Sequence, residues 1–116
     1  MNEYPWLAQY PKGIPAEINA DEFPSIPAVL DKIVNKRPQA PIFTNMGVTL
    51  TAQETFDMSN DLGAYLQSLP SMQKGDRVAI MMPNLLQYPE SLFGILRAGF
   101  IVVNVNPLYT ARQLEH

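Results

Sequence analysis

The chain has no cysteine, and only one histidine and one tryptophan among its 116 residues. Without cysteine it can hold neither a disulfide framework nor a thiolate metal site, and it is compatible with a reducing compartment. His116 stands at the end of the sequence without clustered partners, so neither a histidine metal site nor a Ser-His-Asp or Cys-His arrangement can be assembled; it reads as an ordinary helix residue. Positive charge is also sparse. Eight Lys and Arg face eleven Asp and Glu for a formal charge of −3, and the basic residues are scattered from Lys12 to Arg112. No basic stripe exists to neutralise phosphates, which argues against nucleic-acid binding. Long hydrophobic runs are missing too. The most apolar stretch, SLFGILRAGFIVVNV, is interrupted by Arg97 and Gly99 and falls short of the roughly 20 residues that span a bilayer. The start, MNEYPWLAQYPKGIP, has neither a basic n-region nor an apolar h-region, so it is not a signal peptide, and the expected location is the cytoplasm.

What is present fits one compact α/β domain: 47% of the residues are hydrophobic and 16% charged. Residues 1–24 interleave Pro5, Pro11, Pro15 and Pro24 with Tyr4, Trp6, Tyr10 and Phe23, which predicts an extended arm. Either its aromatics pack over the domain, or they reach a neighbouring domain, subunit or membrane surface.

From Ser25 onward the pattern becomes regular. Ile26, Val29, Leu30, Ile33 and Val34 recur at helical spacing and predict a helix with one continuous core stripe, ended by Pro38. PIFTN and VTLT flank Met46-Gly47 and predict a small β-hairpin. Thr51 and Glu54 form a capping box that opens a helix to about Ser68, with Phe56, Ser59, Leu62, Leu66 and Leu69 on or near one face. Pro70 and Gly75 mark a loop. VAIMM then reads as a strand buried on both faces, stopped by Pro83; Asn84 is placed to cap a helix through LLQYPESLFGILRA, and Gly99 to end it. IVVNV returns as a second strand. Strand, crossover helix and strand make a βαβ unit with parallel strands. The final NPLYTARQLEH repeats the move: Thr110 and Gln113 form another capping box. So short a stretch is below the roughly 12 to 15 residues that sustain an isolated helix, so something else holds it or the sequence continues beyond His116.

The βαβ unit raises the question of a nucleotide. Phosphate cradling needs glycines that bring backbone N–H groups onto an anion, whereas the strand-to-helix turn MMPNLLQYPE has none and includes a proline that removes a donor. The glycine in GDRVAI precedes its strand, where a β-turn uses it. The carboxylates of Glu54, Asp57, Asp61, Asp76, Glu90 and Glu115 show no converging pair, and Glu90 and Arg97 read as solvated or structural. Met81 and Met82 either line an apolar ligand slot or pack the core. No catalytic, cofactor-binding or metal-binding residue is assigned.

The K-G-D-R-V-A, M-P-N, G-I-L-R-A-G and N-P-L-Y-T segments, in this order and spacing, closely resemble the amino-terminal part of bacterial long-chain fatty acyl-CoA synthetases. These belong to the adenylate-forming superfamily, with luciferases and the adenylation domains of peptide synthetases. Weaker likeness runs through TNMG at 44–47, AYLQ at 64–67 and WLAQYPKGIPAEI at 6–18. The resemblance implies that residues 25–116 are a partial piece of a larger AMP-binding domain, and that the parent activates a fatty acid with ATP to an acyl-adenylate and transfers it to coenzyme A, with magnesium assisting. It also implies that the motifs carrying this chemistry lie downstream, so the 116 residues alone are expected to be inactive. Gly75, Asp76, Pro83, Asn84, Gly94, Gly99, Asn106, Pro107 and Tyr109 match the family and fall on scaffold turns and strand ends. Ala52 and Thr55 depart from it, since an aromatic residue and a leucine are usual there, and they are expected to weaken the core face of their helix. The partners so implied are the remainder of the parent chain and, across an uncovered edge or by swapped elements, a second copy; the parent is either cytoplasmic or peripheral at the inner face of the membrane. Two other classes remain: a standalone interaction module using the aromatic arm or sheet edge, and a small nucleotide-binding domain with measurable ATP affinity.

Overall fold

The computed structural model describes residues 4–116. Helix α1 spans Ile26–Lys36, strands β1 and β2 span Pro41–Asn45 and Val48–Thr51, helix α2 spans Ala52–Ser68, strand β3 Arg77–Ile80, helix α3 Gln87–Arg97, strand β4 Ile101–Asn104 and helix α4 Ala111–Glu115. The arm is not extended throughout. Pro5–Gln9 forms a 3₁₀ turn, because Pro5 presets a helical φ at its first position.

The hairpin forms as expected, β1 antiparallel to β2. Met46 and Gly47 both take positive φ, 48° and 81°, the backbone that matches the twist of two strands joined by a two-residue turn. The hydroxyls of Thr44 and Thr49 share a hydrogen bond of 2.8 Å across the pair. In α1, Ser25 Oγ accepts from the Ala28 N–H at 3.3 Å. Its stripe is covered only in the middle: Leu30 is buried, Ile33 and Val34 half-buried, Ile26 and Val29 exposed.

Helix α2 opens on the predicted capping box, and the face it buries includes the predicted Ser59 but is centred on small residues. The buried line is Ala52, Thr55, Ser59 and Gly63, flanked by half-buried Phe56, Leu62, Leu66 and Leu69. Ala52 and Thr55, expected to weaken the core face, are fully buried in it, as Ser59 is, all three at 0% exposure. At Ser59 and Gly63 small residues are what the packing requires, because α3 crosses there at backbone distance. A β-carbon on Gly94 would stand 2.7 Å from the Ser59 carbonyl oxygen, and one on Gly63 3.1 Å from that of Gly94. The buried hydroxyls are satisfied within their own helix: Thr55 Oγ1 donates to the Thr51 carbonyl at 2.9 Å and Ser59 Oγ to that of Phe56 at 2.8 Å.

Strands β3 and β4 pair in parallel, Arg77 opposite Ile101 through Ile80 opposite Asn104, with α3 as the crossover. Helix α3 begins at Gln87 rather than after Asn84. A start at Asn84 would put Pro89 beyond the first turn, where its ring meets the carbonyl four residues back. The later start makes Pro89 the third helical residue, and the Tyr88 N–H is taken by the Leu85 carbonyl at 3.1 Å, so Leu86 serves as cap without a side-chain hydrogen bond. At the other end Gly99, φ +90°, closes the helix as predicted: the Phe100 N–H reaches the Ile95 carbonyl and the Gly99 N–H that of Leu96.

Ile80, Ile95 and Phe100 form the core, with Leu66, Met72, Val78, Met82 and Leu92 against them. The strand reading VAIMM needs correction at both ends and on one face. The strand starts at Arg77 and stops at Ile80, and only the side bearing Val78, Ile80 and Val102 is covered. Ala79, Met81, Ile101 and Val103 are exposed on or beside the other side.

Candidate functional site

Ligands of parallel α/β sheets sit outside the carboxyl ends of the strands, where the loops leave for the helices. In this chain that end is bounded by the hairpin. Between β1 and the entry of α3 lies an open cleft of about 330 Å³, walled by Phe43, Leu85, Leu86, Pro89, Leu92 and Phe93. Two side-chain bonds hold its rim. Asn45 Nδ2 donates to the Asn84 carbonyl at 2.9 Å, joining the hairpin turn to the β3–α3 turn, and the Tyr88 hydroxyl donates to Asn104 Oδ1 at 2.7 Å, joining α3 to the end of β4. Neither tie was legible in the sequence: Asn45 and Asn84 are 39 residues apart, and no spacing rule connects them.

Chemically the cleft is an apolar slot with amide and hydroxyl groups at its edge. It can receive an apolar or aromatic group but offers no acid or base for proton transfer. Several carboxylates are engaged elsewhere. Glu54 accepts the Thr51 backbone N–H at 2.8 Å, which, with the Thr51 hydroxyl, holds its carboxyl below the usual range. Asp57 accepts from Gln53, and Asp76 from the Gln73 N–H. Asp31 pairs with Arg97 Nη2 at 2.6 Å, and the guanidinium also lies 4.6 Å from the centre of the Phe56 ring, so Arg97 joins α1, α2 and α3. Glu90 is pushed up, by burial. Among the described residues no three His, Cys, Asp or Glu stand together as a metal site.

The residues singled out from family likeness take structural positions. The Gly75 N–H bonds the Gly99 carbonyl at 2.9 Å, and Asn106 Oδ1 accepts from the Leu108 N–H at 2.9 Å. Met82 packs on the core, whereas Met81 is 44% exposed on the open side of the sheet. A nucleotide triphosphate with its magnesium does not fit these residues. The β3–α3 turn has no glycine and its proline lacks an N–H, so it lacks the open row of backbone donors a phosphate needs, and among the described residues no three His, Cys, Asp or Glu stand together to hold the metal.

The chain is 53% identical over 111 residues to a long-chain-fatty-acid–CoA ligase of Salmonella typhimurium, covering 96% of this chain and 20% of that protein. With the long-chain-fatty-acid–CoA ligase of Bacillus subtilis it shares 38% identity over 116 residues, all of this chain and again 20% of the relative. The chain thus spans about a fifth of the length of the curated relatives it matches. Among solved structures, the N-terminal subdomain of Klebsiella oxytoca NpsA superposes with a TM-score of 0.73 at 23% identity, over 78% of this chain and 24% of that one, a likeness of fold. The sequence pattern described as AMP-binding enzyme matches residues 30–116, three quarters of the chain, and on that match the chain belongs to the AMP-binding enzyme family.

Proposed function

We propose that these residues are the N-terminal part of an enzyme that activates long-chain fatty acids with ATP, assisted by magnesium, to an acyl-adenylate and transfers them to coenzyme A. Residues 25–116 serve as the opening piece of its AMP-binding domain, and residues 1–24 as an arm ahead of it. The single observation carrying this reading is 53% identity, over nearly the whole chain, to a long-chain-fatty-acid–CoA ligase. The 116 residues contribute scaffold and no catalytic, cofactor-binding or metal-binding side chain. The remainder of the parent chain is the partner of the open β3–β4 side; without it, a second copy takes that place by pairing along the exposed edge. The site of action is the cytoplasm, at or near the inner face of the membrane.

Two measurements test the reading. The 116-residue chain titrated calorimetrically with ATP and magnesium should give no heat, whereas the longer chain encoded by the parent gene should form acyl-CoA from a long-chain acid, ATP and coenzyme A. Saturable ATP binding by the short chain, or no thioester from the long one, would overturn it. Light scattering should show the short chain associating as its concentration rises; a clean monomer at high concentration refutes the pairing.

A further inference from the structure

We propose that Lys32 is a clasp that fixes where the N-terminal arm stands, making residues 4–18 a strap hinged at 19–22 and fastened to α1 by one ammonium group. Little else holds the arm. Among the described residues, those from 4 to 22 include no buried member, and only Leu7 of them is half-buried. Their backbone hydrogen bonds close on the arm itself: the Tyr10 N–H meets the Leu7 carbonyl, the Ile14 N–H that of Pro11, and the Glu22 N–H that of Asn19. The Cα radius of gyration is 17.8 Å, against about 13 Å for a compact chain of this length, which is what a segment standing off from the domain produces.

The fastening lies where the chain enters α1. Lys32 Nζ donates to Glu22 Oε1 at 2.8 Å and lies 4.6 Å from the centre of the half-buried Phe23 ring, so a single cation engages both residues. Lys36, one turn further along the helix, adds a weaker pull on the Glu22 carboxyl, which is held below its usual range chiefly by Lys32. The turn just ahead is closed by Asn19, whose side-chain and backbone oxygens accept the N–H groups of Asp21 and Glu22. This turn supplies the bend, and Lys32 holds it against the helix. An exposed ion pair of this kind is weak by itself, and the ring under the cation adds to it. The strap is therefore held reversibly, and releasing it leaves the core of Ile80, Ile95 and Phe100 untouched.

The chain has no cysteine, so spin labels at Gln9→Cys and Asp61→Cys, both exposed, report the distance from the arm to α2 by pulsed electron paramagnetic resonance. With Lys32 in place the labelled chain should give one narrow distance distribution. Lys32→Met keeps an unbranched stem and removes the charge; the share of molecules outside the main peak should rise at least about threefold, with unchanged circular dichroism. Glu22→Ala with Phe23→Leu removes the arm's side of the clasp without touching α1 and should widen the distribution as far. Lys32→Arg, which can still pair with Glu22 and cover Phe23, should restore the narrow peak. A broad distribution before any change at Lys32 overturns the proposal. So does a distribution that Lys32→Met leaves alone, and so does one that changes on dilution with unlabelled chain, which marks a second copy as the holder. No nucleotide or acyl substrate enters the assay, so its outcome is independent of the ligase reading.

Discussion

Replacing Gly94 by alanine puts the closest packing in the molecule to a quantitative test. A β-carbon there would lie 2.7 Å from the Ser59 carbonyl oxygen and 3.3 Å from Leu62 Cβ. The first of these is backbone of a 17-residue helix, so it cannot turn aside as a flexible side chain would. Forcing the two helices apart should cost about 2–3 kcal/mol, at the upper end for an added methyl in a packed core. Removing a glycine from a helix interior returns about 0.5–1 kcal/mol. The net expectation is a loss of about 1–2 kcal/mol, which in a domain of this size lowers Tm by roughly 4–10 °C. Gly63→Ala is the matched control. Its β-carbon would meet the Gly94 carbonyl oxygen at 3.1 Å and Ala98 Cβ at 3.5 Å, so a small shift accommodates it and stability should change by no more than about 0.5 kcal/mol. Urea unfolding followed by circular dichroism, with the slope checked for constancy, measures both. A Gly94→Ala chain as stable as the parent, or a Gly63→Ala change costing more than Gly94→Ala, would refute the account of the α2–α3 crossing.

Three further outcomes follow from the geometry. Arg97→Lys should fail to replace arginine, losing about 1–2 kcal/mol, because an ammonium cannot both lie flat on Phe56 and present a fork to Asp31; Asp31→Asn, removing one partly exposed partner, should cost under about 1 kcal/mol, both read by thermal unfolding. The Glu54 carboxyl is held below its usual 4.5 in the folded chain, so the stability it adds is fully present above that pH and fades as the pH falls through its lowered value; Glu54→Gln should remove this part of the acid profile in urea titrations taken at successive pH values. Glu90 has the opposite sign: burial raises its carboxyl, so ionisation opposes folding once the pH exceeds the unfolded value, and Glu90→Gln should stabilise the chain at neutral pH with the gain vanishing in acid.

Much of the fold was legible because it rests on local chemistry. Ser25, Thr51 and Thr110 announce their helices through hydroxyls that accept N–H groups three residues on, and the structure makes all three bonds. Met46-Gly47 and Gly99 mark places where the backbone must turn left-handed. What failed was inference from hydrophobicity to burial. In α2 the largest apolar residues suggest the buried face, yet where α3 comes nearest, at Ser59 and Gly63, the approach selects small residues. Helix α3 starts at Gln87 rather than directly behind the good capping residue Asn84, because only the later start keeps Pro89 within the first turn.

The candidate site was least legible for a related reason. Its rim depends on Asn45 meeting the Asn84 carbonyl and Tyr88 meeting Asn104, contacts set by how the hairpin and the βαβ unit settle against each other. Polar residues of this kind carry no periodicity, and their spacing along the chain follows from topology. Absence, by contrast, was informative. A turn without glycine, with a proline in place of a donor, disfavours phosphate binding on the sequence alone. An apolar cleft can hold part of a substrate, but acyl transfer needs donors aimed at developing charge, and at this rim Asn45 Nδ2 is directed at the Asn84 carbonyl and the Tyr88 hydroxyl at Asn104.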